Sequence, residues 1–276
     1  RRRRGAGGRG LPPRRHRVTR FARDGIALAY EDAGTGPPAL FQHGLGGDAR
    51  QSADVFPTDR RRITLECRGQ GGSDTGPEAA LSIATFAADL ESLARHLALG
   101  ALAVGGISMG AAIALRLAVR HPGRVGALVL ARPAWVAAPA PANMRPYAEA
   151  GALIATLPPA EARRRFAASA TAATLAREAP DNLASLLGFF GRPPAFGRLL
   201  QAIAADGPGV TEAEIARITV PTLVIGHGRD LAHPLAHAER LAALIPGARL
   251  RTITPKATDR AVYAAEFRAA LADFLP

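Results

Sequence analysis

Residues 101–121 read ALAVGGISMGAAIALRLAVRH. A short apolar run at 101–104 has the length and composition of a buried strand, and an apolar helical segment follows at 109–121 and ends before Pro122. The pentapeptide 106–110, with Ser108 at its centre, joins the two. A sharp strand-to-helix turn strains the central backbone, and the flanking glycines permit the approach. The pattern therefore predicts an exposed hydroxyl on Ser108, which makes this serine a candidate nucleophile.

Two backbone amides are candidate donors to an oxyanion that forms beside Ser108. The Met109 N–H lies in the first turn of the predicted helix, where it has no helical acceptor and the helix dipole favours negative charge. A glycine-rich turn at 43–47 follows the predicted strand 39–42, and its Leu45 N–H is the natural second donor. We expect His43 to support this turn, and His43 and Gly44 to border the bound substrate.

Short apolar runs alternate with segments of helical period along the chain, which predicts an α/β fold with a mostly parallel sheet. A hairpin is predicted around Asp24 and Gly25, with its strands at 17–22 and 26–31. The other predicted strands are 39–42, 62–66, 101–104, 125–131, 219–226 and 248–253, and the predicted helices are 83–99, 109–121 and 259–274.

The pattern changes between residues 137 and 216, where four or five helical stretches occur without a convincing strand. We interpret 137–216 as a helical cap inserted between two parts of the core, 17–136 and 217–276. Trp135 lies two residues before the cap. It is predicted to line a pocket beneath the cap, or, alternatively, to pack where core and cap join.

The basic charge is concentrated at the start of the chain. The formal net charge is +12, but nine arginines fall within the first twenty residues, and from residue 21 onward the net charge is only +3. Residues 1–16 are therefore predicted to be a disordered basic tail. Since the sequence does not begin with Met, we interpret this tail as upstream sequence or a misplaced start, and we predict no specific nucleic-acid partner.

Composition narrows the function classes further. No apolar run approaches the ~20 residues that span a bilayer, so no membrane association is predicted. Cys67 is the only cysteine, which excludes an internal disulfide and suits a reducing cytosol, so a cytoplasmic protein is predicted. No cluster of side chains has metal-ligand spacing, and neither a metal nor another cofactor is predicted.

Several motifs together carry a family resemblance. They are HGLGG at 43–47, RGQGGS at 68–73, GISMG at 106–110, RHP at 120–122 and PTLVIG at 221–226. With these motifs the chain resembles α/β-hydrolase-fold proteins that carry a helical cap, over about residues 17–136 and 217–276. The turn GISMG at 106–110 is similar to the corresponding turns of enol-lactonases, small-molecule esterases and cofactor-free haloperoxidases.

The resemblance implies a catalytic order of serine, acid and histidine along the chain. Asp230, in the loop after 219–226, stands where this fold places its acid, while the other common location, after 125–131, holds Arg132 and Pro133. The histidine is expected in the loop 254–259, which reads TPKATD. No histidine follows His237, so the usual base is missing from its place.

Three possibilities remain open for the base. Lys256, the only lysine, stands in the expected place and could act as base if burial made it neutral, although a neighbouring Asp230 would oppose this. Alternatively, an imidazole comes from beside Asp230, with His233 the leading candidate and His227 also close in sequence. In the third case, hydrolysis has been lost.

The predicted function is hydrolysis of a carboxylic ester or lactone of a small, fairly apolar molecule through an acyl-enzyme on Ser108. The alternatives are a catalytically silent ligand-binding protein and a cofactor-free lyase or oxidative enzyme that uses the oxyanion hole alone.

Overall fold

Strand pairing in the computed structural model, which describes residues 18–275, produces one eight-stranded sheet. The strands are β1 (Val18–Arg23), β2 (Ile26–Ala33), β3 (Pro38–Gln42), β4 (Arg61–Leu65), β5 (Leu102–Ile107), β6 (Val125–Ala131), β7 (Thr222–Gly226) and β8 (Arg249–Thr252). Their order across the sheet is β1-β2-β4-β3-β5-β6-β7-β8. The predicted tail 1–16 lies outside the described residues.

Only the first part of the sheet is antiparallel. Strands β1 and β2 form the predicted hairpin, whose turn residues Asp24 and Gly25 have φ angles of 52° and 77°. Strand β2 also pairs antiparallel with β4, whereas all pairs from β4 through β3 to β8 are parallel. The predicted α/β class with a mostly parallel sheet is therefore confirmed.

Helices flank this sheet on both faces. They are α1 (Ala49–Ala53), α2 (Ile83–His96), α3 (Met109–Arg120), α4 (Arg145–Thr156), α5 (Pro159–Ala167), α6 (Ala170–Glu178), α7 (Pro180–Leu187), α8 (Pro194–Ala205), α9 (Glu212–Ile215), α10 (Leu235–Leu244) and α11 (Arg260–Phe274). The short α1 has no counterpart among the predicted helices, because five residues are too few to show an apolar period. Among the described residues, no helix is long and apolar enough to cross a membrane.

Strand β5 continues to Ile107, three residues beyond the predicted end at Val104. Glycine is depleted in strands, so Gly105 and Gly106 suggested an earlier end. A Cβ on Gly105 would lie 2.6 Å from Val129 Cβ, and one on Gly106 would lie 2.7 Å from Gln42 O. The neighbouring strands therefore approach so closely that only glycine fits, and the strand can run straight into the turn at Ser108.

Six helices, α4 to α9, connect β6 with β7, where four or five were predicted. Helices α4 and α8 pack against each other through two glycines, since a Cβ on Gly197 would lie 2.6 Å from Gly151 O. Apolar side chains from this helical segment, including Phe166 and Leu200, belong to the same buried cluster as α2 and α3. The segment thus shares one continuous apolar core with the helices that cover one face of the sheet.

A second apolar cluster covers the opposite face of the sheet and includes Phe41 of β3 and Phe267 of α11. Because helices cover both faces of the sheet, we expect the functional groups in the loops at the carboxyl ends of the parallel strands. The ends of β3, β5, β6 and β7 lie side by side in the sheet order, and the residues that follow them therefore meet at one edge.

We predict that Gly105→Ala lowers the free energy of unfolding by about 1–3 kcal/mol, because the added methyl group overpacks the contact with Val129. Gly100→Ala is the matched control, since nothing lies within 4 Å of a Cβ at that position. Denaturant unfolding of both variants measures the difference. Equal stabilities for the two variants would contradict the close approach of β5 and β6.

Candidate active site

Ser108 occupies a strained turn between β5 and α3. Its φ and ψ are 58° and −111°, in the left-handed range that side chains rarely adopt, and its N–H donates to Ala131 O over 2.9 Å. A Cβ on Gly110 would lie 2.4 Å from Gln42 O, so the first turn of α3 can approach β3 only because residue 110 is glycine. The sequence pattern predicted this geometry, and strain of this kind is common at functional sites.

His233 contacts the serine hydroxyl. Its Nε2 lies 2.8 Å from Ser108 Oγ, and its Nδ1 lies 2.8 Å and 2.9 Å from the two carboxylate oxygens of Asp230. An ionised carboxylate can only accept, so Nδ1 carries the proton and the Nε2 lone pair faces the serine O–H. Ser108, His233 and Asp230 thus form a continuous hydrogen-bonded series.

Asp230 is buried and accepts hydrogen bonds from two other parts of the chain. Arg132, directly after β6, donates through Nε at 2.9 Å and Nη2 at 2.6 Å to Oδ2. Asn182 of α7 donates through Nδ2 to Oδ1 at 2.9 Å. Because two guanidinium donors and an amide fix the carboxylate from different directions, Asp230 has little freedom to rotate.

The loop between Asp230 and His233 is held by two asparagines of the helical segment. Asn182 Oδ1 accepts from the Ala232 N–H at 2.9 Å, while Asn143 Nδ2 donates to Ala232 O at 2.7 Å. The N–H and the C=O of Ala232, the residue before His233, therefore both have side-chain hydrogen-bond partners. This anchoring orients the imidazole toward Ser108.

Charges around His233 have opposing effects on its pKa. Burial lowers the pKa of His233 below its ordinary value, and the Arg132 guanidinium lowers it further, while the Asp230 carboxylate acts in the opposite direction. Burial alone would raise the pKa of Asp230, but Arg132 and His233 hold that pKa well below its usual range. Asp230 is therefore ionised and His233 is neutral near pH 7.

The turn after β3 leaves one amide without an acceptor. Gln51 Oε1 accepts from the Gly44 N–H at 2.6 Å, and Gln70 Oε1 accepts from the Gly46 N–H at 2.6 Å. The Leu45 N–H between them has no acceptor among residues 18–275. Met109 is the first residue of α3, so its N–H also lacks a helical acceptor. Leu45 and Met109 can therefore both donate to a ligand.

A cavity of about 180 Å³ lies in front of Ser108. The sheet-edge loops line it through Gly44, Leu45, Gly46, Gly47, Gln51, Ile107, Ser108, Arg132, His233 and Lys256, and the helical segment through Tyr147, Asp181, Asn182, Ser185 and Phe189. Lys256 borders this cavity but makes no hydrogen bond or ion pair with the part of the chain described here. The structure thus brings His233, and not Lys256, into contact with Ser108.

Two residues predicted to border the substrate lie elsewhere. His43 is fully buried beneath the turn, where its Nε2 accepts from the Cys67 N–H at 3.0 Å, in keeping with the expected support of the turn. Trp135 is also buried, and its indole N–H donates to Asp206 O at 2.9 Å. Neither side chain lines the cavity, whereas the backbone of Gly44 does. This hydrogen bond places Trp135 against the helical segment, and its packing where core and cap join stays a prediction.

Four polar residues of the site were not assigned a role from the sequence. Gln70, Asn182 and Arg132 act through contacts between distant parts of the chain, and Gln51 reaches back seven residues to Gly44, so no local period marks them. Signals existed for Arg132, which stands at the alternative acid position after β6, and for Gln70, which lies in the motif RGQGGS at 68–73. In residues 18–275, no group of three or more His, Cys, Asp or Glu side chains could hold a metal ion.

Comparisons with known proteins agree with this architecture. An uncharacterized protein of Mycobacterium tuberculosis is 28% identical over 243 residues, which cover 82% of this chain and 71% of the relative. The enol-lactonase from Burkholderia xenovorans superposes with a TM-score of 0.69 at 26% identity, and the match covers 93% of this chain and 99% of that one. Est816, described as an N-acyl homoserine lactone degrading enzyme, has the same TM-score and identity, with 93% and 100% coverage.

A family model described as "alpha/beta hydrolase fold" matches residues 37–257. This range includes Ser108, His233 and Asp230. With most of its length matched, this chain belongs to the alpha/beta hydrolase fold family.

Proposed function

We propose that this protein hydrolyses a small carboxylic ester or lactone through an acyl-enzyme on Ser108, with His233 as general base and Asp230 as the acid that orients it. The observation that carries the proposal is the 2.8 Å contact between His233 Nε2 and Ser108 Oγ. A serine hydroxyl is a weak nucleophile unless a base accepts its proton, and this contact supplies one. The two lactone-acting structural relatives support the same reaction class.

In the first half-reaction, Ser108 Oγ attacks the carbonyl carbon while its proton passes to His233 Nε2. The carbonyl π bond breaks, and the resulting oxyanion accepts hydrogen bonds from the Leu45 and Met109 amides. Asp230 stabilises the imidazolium through Nδ1–H. The tetrahedral intermediate then collapses, the bond to the alcohol oxygen breaks, and His233 donates its proton to that oxygen.

Water completes the cycle by the same route. His233 removes a proton from the water, whose oxygen attacks the acyl carbon of the Ser108 ester. The second tetrahedral intermediate breaks the bond to Ser108 Oγ, which regains a proton from His233 and leaves a free carboxylic acid. For a lactone the alcohol remains attached to the acyl group, so one ring-opened hydroxy acid is released.

The predicted cap, residues 137–216, is proposed to cover the reacting groups. Phe189 packs against the oxyanion turn so closely that a Cβ on Gly46 would lie 2.4 Å from its ring. Arg192 Nη2 donates to Gly46 O at 2.8 Å, and its guanidinium lies 4.4 Å from the centre of the Phe196 ring. By excluding water, such a cover strengthens the hydrogen bonds to the oxyanion.

The contact between Ser108 and His233 favours an imidazole base over a lysine base and over a silent binding protein. A silent binding protein has no need of an imidazole, buried and paired with a carboxylate, at the serine hydroxyl. A Lys256 base would need to be neutral and within hydrogen-bond reach of Ser108 Oγ, a position that His233 Nε2 occupies.

We predict that Ser108→Ala and His233→Ala each abolish labelling by a fluorophosphonate probe and lower kcat for a 4-nitrophenyl ester by about 10³-fold or more. Labelled protein is detected by in-gel fluorescence, and mass spectrometry locates the label. Ser169→Ala and His96→Ala are matched controls outside the cavity and should label normally. Ser108 labelling that persists in His233→Ala and disappears in Lys256→Ala would instead establish a lysine base.

The pH profile provides a second prediction. Only neutral His233 can accept the serine proton, so kcat/KM should rise with pH as the imidazole deprotonates. Because burial and Arg132 lower the pKa of His233, the midpoint of this rise should lie below the ordinary histidine value of 6.5. Initial rates between about pH 4 and pH 9 measure the midpoint, and a midpoint well above 6.5 would contradict the assignment.

Replacing Arg132 tests the origin of that shift. In Arg132→Gln a positive charge is removed beside Asp230 and His233, so the midpoint of the kcat/KM profile should move to higher pH than in the wild type. Arg163→Gln, in the exposed part of α5, is the control and should not move it. If Arg132 only supported the fold, its loss would lower the rate at every pH and leave the midpoint unchanged.

A further inference from the structure

The cavity at Ser108 is more polar than a fairly apolar substrate requires. Its wall carries two cations, Arg132 and Lys256, together with Asp181 and the hydroxyls of Tyr147 and Ser185. The Arg132 guanidinium is already bound to Asp230 and Tyr263. Lys256 is half-buried and makes no hydrogen bond with the described residues. Of the two cations, only Lys256 is therefore available to a ligand.

We propose that Lys256 binds a carboxylate on the substrate, so that the preferred ester or lactone is an anionic one. This inference rests on the proposed hydrolytic function and names the substrate class of the same site. An ammonium offers three donors and no acceptor, and its hydrogen bonds to a carboxylate are charge-assisted. The role assigned to Lys256 is thus specificity, and the proton chemistry stays with His233.

The surroundings of Lys256 favour an anionic ligand. Burial and the nearby positive charge of Arg132 lower the pKa of Lys256, which means that its charged form lacks solvation in the cavity. A carboxylate beside the ammonium would replace the lost hydration and restore the charged form. A neutral ligand at the same place would cover the ammonium without giving it an acceptor, which is unfavourable.

Asp181 supplies the opposing charge. It lies on α7, lines the same cavity and attracts Lys256 electrostatically, yet it forms no ion pair with it in the described structure. Its Oδ2 is buried and has no hydrogen-bond partner in that structure. Asp181 therefore offsets a part of the effect of burial and Arg132 on Lys256, but it also repels a bound anion. Because a bound carboxylate would itself favour the charged lysine, removing the charge of Asp181 should strengthen anion binding.

The place of Lys256 in the fold makes this role possible. It lies in the loop between β8 and α11, where the family resemblance implies the catalytic histidine. Because His233 reaches Ser108 from the loop after β7, residue 256 has no part in proton transfer while it still borders the cavity. A side chain at that position can therefore select among substrates without disturbing the base.

Two 4-nitrophenyl esters that differ in charge test the proposal, the anionic mono-glutarate and the neutral hexanoate. The measured quantity is the ratio of kcat/KM for the glutarate to kcat/KM for the hexanoate. KM and kcat are also determined separately for each ester. Wild type should prefer the glutarate, and Lys256→Met should lower the ratio by about tenfold or more, chiefly through KM, as expected for a lost charge-assisted hydrogen bond. Lys256→Arg should retain most of the preference, and Asp181→Asn should increase it.

Arg260→Met is the control for long-range charge, since Arg260 is exposed, repels Lys256 electrostatically and does not line the cavity. The ratio of the two kcat/KM values in Arg260→Met should stay within about twofold of the wild-type ratio, because solvent screens an exposed charge. If Arg260→Met changes the ratio as much as Lys256→Met, or if Lys256→Met leaves it unchanged, the proposal is overturned.

A binding measurement separates this proposal from the catalytic one. Glutarate itself should raise the Tm of Ser108→Ala and should not raise that of Ser108→Ala/Lys256→Met. If neither ester is hydrolysed but this Lys256-dependent stabilisation is found, the proposed hydrolytic function fails and the carboxylate site stands. Glutarate that stabilises both variants equally, or neither, overturns the carboxylate site.

Discussion

A buried carboxylate needs hydrogen-bond donors or a positive charge beside it. In this protein the donors to Asp230, which lies after the end of β7, come from three parts of the chain. Arg132 approaches from the end of β6, Asn182 from α7, and His233 from the loop that carries the carboxylate itself. Removing one partner of a buried ion pair typically destabilises the folded state by about 3–5 kcal/mol, so the loss of one of these contacts is unfavourable. The position of the imidazole relative to Ser108 depends on this shared anchor, because β5 positions only the serine.

Burial lowers the pKa of His233, and the same anchor acts on that pKa in both directions. Arg132 Nη2 lies 2.6 Å from Asp230 and also 3.2 Å from Nδ1 of His233, so the charge that orients the acid disfavours an imidazolium beside it. Asp230 opposes this effect at shorter range. The site therefore combines firm orientation with an imidazole whose pKa is lowered, which favours the neutral form of His233.

Sequence patterns predicted those parts of the molecule that are local. The turn and the helix around Ser108 were predicted correctly because apolar period and glycine spacing act over a few residues. The strand before them was predicted to end three residues too early, because the close packing that requires Gly105 and Gly106 is a contact between strands. The free amide of Leu45 followed from the turn at 43–47, although its support by Gln51 and Gln70 did not, since those glutamines meet the turn only after folding. His233 was named from its closeness to Asp230. The choice between it and Lys256 required distances across 125 residues of chain.

His233 follows Asp230 by three positions on one loop, so the proposed acid and the proposed base form a single short unit. In the more usual arrangement the imidazole would depend on the loop after β8, an edge strand whose four residues are all exposed. Here fraying of that edge strand would leave the proton relay intact. The loop with Lys256 is accordingly free to accumulate substitutions and insertions, and related enzymes could acquire new substrates there without rebuilding their catalytic centre.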